Sequence, residues 1–186
     1  TSGKNATDSA LIIDAMDLLY THRFGGFCIV SSDSDFTSLA NRIREEGLQV
    51  FGFGEKKTPE AFRNACNKFI FTEVLRPVAP PDQLISQSKK RKQPVKQAKA
   101  NEPSAQEFPK EFILEALNNS YDDTGWAYIG TFGGYLTKLK PDFDSRLYGF
   151  KKLSDLVKGK PEIFETEERV NPGSNTKVLY LRGRQE

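Results

Sequence analysis

Apolar and polar positions change their spacing several times along the first 75 residues, and each change marks an element. "NATDSALIIDAMDLLYTH" sets Leu11, Ala15, Leu18 and Leu19 on one helical face, with Thr7 as N-cap and Asp8 in the first turn. "FCIVSS" follows as a short, strongly apolar stretch that predicts a buried strand. "FTSLANRIREE" returns to helical spacing, with Asp35 placed to cap it and Gly47 placed to end it. "LQVFGFG" predicts a second strand. "TPEAFRNACN" predicts a helix with Pro59 at its first position, and "KFIFTEVL" a third strand. Helix and strand alternating through short connections predict a parallel sheet flanked by helices. Ligands of such sheets gather at the carboxyl ends of the strands.

The pattern lapses after Leu75 and resumes at Phe108. Between them the chain is rich in Pro, Gln and Lys and shows no helical or strand period, so residues 77–107 read as a flexible linker. The boundaries that follow are 1–76, 77–107 and 108–186. In the last segment "PKEFILEALNNS" is helical, and "GWAYIGTFGGYLTKL" is a short extended piece running into a second helix. "DSRLYGFKKLSDLVKG" reads as a third helix, and "EIFETEERV" with "TKVLYLRG" as a hairpin around "NPGSN". Three helices closed by a β-hairpin is a winged-helix arrangement, a form common on nucleic acids.

Charge sharpens this division. The 186 residues carry a net charge of +2, but residues 1–82 and residues 102–186 are each slightly acidic. The positive excess lies in "SQSKKRKQPVKQAK", which makes Lys89, Lys90, Arg91 and Lys92 candidate phosphate contacts. Two cysteines and one histidine exclude a disulfide framework, a histidine metal cluster and Ser–His catalysis. Cys28, inside "FCIV", reads as a small core residue. No apolar run is long enough for a membrane span and no leader pattern opens the chain, so the expectation is a cytoplasmic protein with no membrane partner.

The chemistry concentrates in "CIVSSDSDFTSLA". Asp33 and Asp35 follow a strand and precede a helix, so two carboxylates crowd one strand end and need positive compensation. One reading is structural, with Asp35 as cap and Asp33 as a solvated loop residue. The other is a divalent metal site, because hard cations take carboxylate oxygens. Asp14, set among apolar neighbours in "LIIDAMDLL", would need a donor, a cleft or a metal. It lies about 600° around the helix from Asp8, so the two do not share a face.

These residues resemble a known family. "KNATDSALIIDAMDLL" followed by "GFCIVSSDSDFTSLANRIREEGLQVFGFGEKKTPEAFRNACNKFIF" is similar to the later two-thirds of an NYN domain of the LabA/DUF88 type, a PIN-like ribonuclease fold. The resemblance implies a metal-dependent endoribonuclease with Mg²⁺ or Mn²⁺ held by Asp8, Asp33 and Asp35. Asp14, Ser31 and Ser32 would support that site. Family domains open with a strand bearing a further aspartate, whereas this sequence starts past that point. The expectation is therefore an incomplete acid set and an unpaired sheet edge. "IVSSDSDFT" also resembles the first motif of haloacid-dehalogenase-type phosphatases, but no lysine and Asp-Asp pair follow before the linker; Asp122-Asp123 lies beyond it.

The last segment resembles an OST-HTH (LOTUS) domain through Gly125-Trp126, Gly130-x-x-Gly133, Phe143-Asp144 and "YGFKKLSDL". That resemblance implies binding of RNA, structured or guanine-rich RNA included, and in some members docking to a protein partner. Lys138, Lys140, Arg146, Lys151 and Lys152 are the candidate phosphate contacts. Trp126, Phe132, Tyr135, Phe143, Tyr148 and Phe150 read as core. The expected whole is an endoribonuclease joined by a basic tether to an RNA-binding module, with a non-catalytic RNA-binding adaptor as the alternative.

Overall fold

A computed structural model describes residues 2–75, 108–170 and 177–184, with side chains from residue 6 onward. The first element is helix α1 (Ser2–Tyr20). It begins well before Thr7, which lies inside it rather than capping it. Its inward face is Ile12, Ala15, Met16 and Leu19, a clean i, i+3, i+4, i+7 stripe. Leu11 and Leu18 are instead 46% and 45% exposed, so the expected face is rotated by about one residue.

Strand β1 (Gly26–Val30), helix α2 (Thr37–Glu45), strand β2 (Gln49–Gly54), helix α3 (Glu60–Ala65) and strand β3 (Lys68–Phe71) follow in order. The strands form a parallel sheet in the order β1-β2-β3, with Val30 opposite Phe53 and Gly52 opposite Phe69. The predicted sheet and its flanking helices are present. Gly47 takes φ +79 after α2, a left-handed turn that suits glycine. Pro59 sits at the N-cap of α3 rather than at its first position.

One face of the sheet carries the core. Phe36, Leu39 and Ile43 meet Val50, Phe62, Phe69 and Phe71, all buried. The rings of Phe62 and Phe69 lie 5.9 Å apart, and those of Phe69 and Phe71 5.4 Å apart, both edge to face. Each buried phenylalanine contributes about 2–3 kcal/mol through its removal from water. Gly52 is required here, because a Cβ would stand 2.6 Å from both Cys66 Sγ and the Phe69 ring. The alternate positions of β1 and β2 point the other way. Cys28, Val30 and Phe51 are exposed. Cys28 is thus on the open face and not in the core, because the strand is covered on one side only.

The second unit begins with helix α4 (Lys110–Asn118), followed by strand β4 (Ala127–Tyr128) and helix α5 (Ile129–Leu139). The predicted third helix is divided. Asp144 caps a 3-10 turn at Ser145–Tyr148, Gly149 turns left-handed at φ 84, and helix α6 (Leu153–Lys158) starts afresh. Strands β5 (Phe164–Val170) and β6 (Lys177–Gly183) form the hairpin, and β4 joins it in the antiparallel order β4-β6-β5. Ile113, Leu117, Phe132, Leu136, Phe143, Leu156 and Leu181 make the core, with Tyr135, Tyr148 and Phe150 packed at its margin. Trp126 belongs to neither core. It lies under Arg169 and Arg182, 5.1 and 4.7 Å from their guanidinium carbons.

The two units touch along the outer edge of β3. Phe69 N–H donates to Pro141 C=O at 2.9 Å, and Lys68 Nζ donates to Phe143 C=O at 2.7 Å. Asp142, 4% exposed, pairs with Arg63, whose guanidinium also lies 5.7 Å from the Phe71 ring centroid. Leu147 packs against the first core. The loop after α5 therefore covers a sheet edge that would otherwise present unpaired backbone groups.

Candidate functional site

The carboxyl end of β1 is built by short-range hydrogen bonds. Ser31 N–H donates to Phe53 C=O at 2.9 Å and carries the sheet pairing one residue past the strand. The Ser31 hydroxyl then accepts from Asp33 N–H at 3.1 Å. Asp33 adopts extended backbone and its Oδ1 accepts from Asp35 N–H at 3.0 Å, capping a 3-10 turn at Ser34–Phe36. Asp33 is thus the cap and Asp35 the first-turn acid, the reverse of the expected assignment. Phe36 anchors the turn in the core and serves as N-cap residue of α2. The Ser32 hydroxyl accepts from Glu55 N–H at 2.9 Å and joins this turn to the end of β2.

Asp33 and Asp35 are both exposed beside each other at the strand end. Asp8 is half-buried on α1, and Asp14 is exposed on the same helix, so its carboxylate needs no buried donor. Asp14 lines a groove of about 320 Å³ between α1 and β1, together with Leu11, Leu18, Val30 and Ser31. Among the described residues, no group of three or more His, Cys, Asp or Glu side chains stands close enough to hold a metal ion. The oxygens are of the kind Mg²⁺ and Mn²⁺ prefer. The described acids are nevertheless too few in one place to fit such an ion by themselves.

The candidate cations fall into distinct settings. Lys138 faces a cavity of about 500 Å³ that also takes Arg44, and Lys140 sits at the end of α5. Arg146 is held by Asp144 through Nε–Oδ1 at 2.9 Å and Nη2–Oδ2 at 2.6 Å. This pairing and a backbone hydrogen bond outweigh burial and hold the Asp144 carboxyl below its ordinary range. Lys151 and Lys152 are exposed before α6. Lys89, Lys90, Arg91 and Lys92 lie outside the described residues. Lys68, read from sequence only as a strand residue, is brought among these cations by the fold. Burial lowers its pKa, partly opposed by Asp144 and Asp142. Nothing local in the sequence signals this, since its partner Phe143 is 75 positions away.

Asp122 is taken up by its own loop. Its Oδ1 accepts from Thr124 N–H, Thr124 Oγ1 and Trp126 N–H, which hold its pKa below the usual range. Among the described residues no helix is long and apolar enough to cross a membrane.

Family comparison matches an NYN domain over residues 1–75 and an OST-HTH/LOTUS domain over residues 105–176. No curated protein matches the chain. A solution NMR structure of an uncharacterized protein from Nitrosomonas europaea is similar at 56% identity, covering 52% of this chain and 93% of that one, with a TM-score of 0.42. A solution NMR structure of residues 175–257 of a Chromobacterium violaceum protein is 28% identical over 45% of this chain and 87% of that one, with a TM-score of 0.36. The NYN domain belongs to the PIN-like nucleases, which as a group use divalent metal ions, and OST-HTH/LOTUS domains bind RNA. The chain thus carries an NYN domain over residues 1–75 and an OST-HTH/LOTUS domain over residues 105–176.

Proposed function

We propose that this protein is an RNA-processing endoribonuclease whose NYN unit cuts and whose LOTUS unit holds the RNA. Residues 1–76 would form the first unit, 77–107 the tether and 108–186 the second. The observation that carries the reading is the exposed pair Asp33 and Asp35, fixed by the Ser31 and Asp33 hydrogen bonds at the carboxyl end of β1. Two unscreened carboxylates repel a phosphodiester, so this end favours RNA only after positive compensation. The described acids do not complete a metal-ligand set. The reading therefore requires a further oxygen donor at the edge of β1 that no strand among the described residues covers, beside Asp8 and with Asp14, Ser31 and Ser32 in support. A strand added along that edge would supply one. Lys138, Lys140, Arg146, Lys151 and Lys152 would hold the phosphates, aided by Lys89, Lys90, Arg91 and Lys92 of the tether. Two unpaired thiols, Cys28 and Cys66, fit a reducing compartment such as the cytoplasm.

The experiment is cleavage of labelled RNA with and without Mn²⁺, comparing the native protein with Asp33→Asn. The nuclease reading expects Mn²⁺-dependent cutting that is lost in the variant. A second reading is a non-catalytic RNA-binding adaptor, since among the described residues no three acidic side chains stand close enough together to hold a metal ion. That reading expects RNA binding without cutting under either condition. Hydrolysis of a phosphomonoester would instead point to the phosphatase resemblance.

A further inference from the structure

Two clefts flank the contact between β3 and the loop after α5, and Thr137 of α5 lines both. The smaller, about 340 Å³, receives Lys68 from the first unit and Arg146, Lys151 and Lys152 from the second. Asp144 is its single lining carboxylate, and Arg146 already holds it. Asp142, the other acid near Lys68, is paired with Arg63. No carboxylate among the described residues pairs with Lys151 or Lys152. The cleft thus carries uncompensated positive charge from both units. Its wall at Gly133 lacks a side chain, and its floor at Leu136, Phe143 and Leu153 is apolar.

We propose that this seam is a composite binding site for the phosphodiester backbone of single-stranded RNA, with Lys68 acting alongside Lys151 and Lys152. The chemistry is that of a polyanion entering a concave, cation-lined channel. A single strand can lay its backbone into a concave cleft of about 340 Å³, whereas a duplex presents its phosphates on a convex surface. Lys68 Nζ gives one hydrogen bond to Phe143 C=O and keeps two further N–H donors, while Asp142 and Asp144 are held by Arg63 and Arg146, so a phosphate can serve as its anionic partner. The seam lies on β3, the opposite edge of the sheet from β1, which Asp33 and Asp35 follow. RNA held here would be anchored away from the acids and reach them only by extending over the sheet. This inference rests on the RNA-holding role proposed above and adds a residue of the NYN unit to it.

The test is fluorescence anisotropy of a short labelled poly-uridine strand with the full chain at several salt concentrations. Lys151→Ala/Lys152→Ala should weaken binding about tenfold and Lys68→Gln about threefold, with Lys68→Arg restoring most of the loss. The salt slope should fall by about 0.7 for each lysine removed. Lys158→Ala, which removes a cation already paired with Glu168, should leave binding unchanged. If the native chain binds but Lys68→Gln matches it, the composite site is wrong while the LOTUS reading survives. Equal losses on duplex RNA would overturn the single-strand assignment. If the native chain fails to bind any RNA, the proposed function falls with the seam.

Discussion

Two edges of one sheet are finished in different ways. The outer edge of β3 gives Phe69 N–H to Pro141, carries the Lys68 contact to Phe143 and lies beside the buried Arg63–Asp142 pair. The edge of β1 away from β2 has no strand on it among the described residues, and Val30 beside it is 74% exposed. The same backbone geometry yields both, so the difference lies in what the side chains next to each edge can recruit. Near β3 they are a basic residue on α3 and an ammonium on the strand, which draw in a loop rich in carbonyls and carboxylates. Near β1 they are Leu11, Leu18 and Val30, which ask for apolar cover. Asp33 and Asp35 follow the strand whose outer edge carries no partner strand among the described residues.

The largest effect should come from breaking the finished edge. Asp142→Ala leaves Arg63 as a part-buried charge with no counter-ion, at a cost of about 3–5 kcal/mol. Differential scanning calorimetry should show the loss as a lowered transition. Replacing both partners by apolar residues, Arg63→Met with Asp142→Leu, should recover most of it, because Arg63 Nε and Asp142 Oδ1 are already buried without partners. A single-variant Tm equal to the native value would mean that the pair contributes nothing to the seam.

The parallel sheet, the winged-helix plan and the turn at Gly47 were readable because each follows from local spacing and backbone preference. Legibility failed wherever a distant neighbour decided the outcome. The face of α1 is Ile12 and Met16 rather than Leu11 and Leu18 because α1 meets only one side of the first core, while several apolar residues compete for that side. Cys28 faces outward because β1 is covered on one side, and a run of four apolar letters cannot state that. Trp126 leaves the core for two arginines on the far strands β5 and β6. Arg63 and Asp142 meet across 79 positions, which no short-range pattern encodes. The acids were legible as a motif, but which of them caps the turn depended on the extended backbone at Asp33.

A middle-sized effect separates the two uses of Asp33 at the end of β1. Asp33→Ala removes the oxygen that accepts from Asp35 N–H and should cost about 1 kcal/mol. Asp33→Asn keeps a side-chain acceptor there and removes only the charge, so urea unfolding should give a midpoint within experimental error of the native one. If both variants unfold together at lower urea, the charge itself stabilises this turn. Cleavage lost in Asp33→Asn could then no longer be attributed to chemistry alone.

The smallest effect is a difference in reactivity that reports on cover. Cys28 is exposed on the open face of β1, whereas Cys66 is buried and its Sγ donates to Phe62 C=O at 3.3 Å. Burial pushes the Cys66 thiol up to about 11 from 9.0. Well below pH 9 that thiol is neutral in folded and unfolded chains alike and does not bias folding. Between about 9 and 11 the unfolded chain ionises while the folded one keeps its proton, so this group weakens the fold as pH rises. A thiol reagent at pH 8 should therefore modify one cysteine rapidly and the second only after denaturant is added. Replacing Cys28 by Ser should abolish the fast phase and leave the slow one. Because Cys28 sits beside the bare edge, any segment that pairs with β1 and folds over its open face should slow the fast phase. A rate unchanged by such a segment would mean that the face stays open even when the edge is filled.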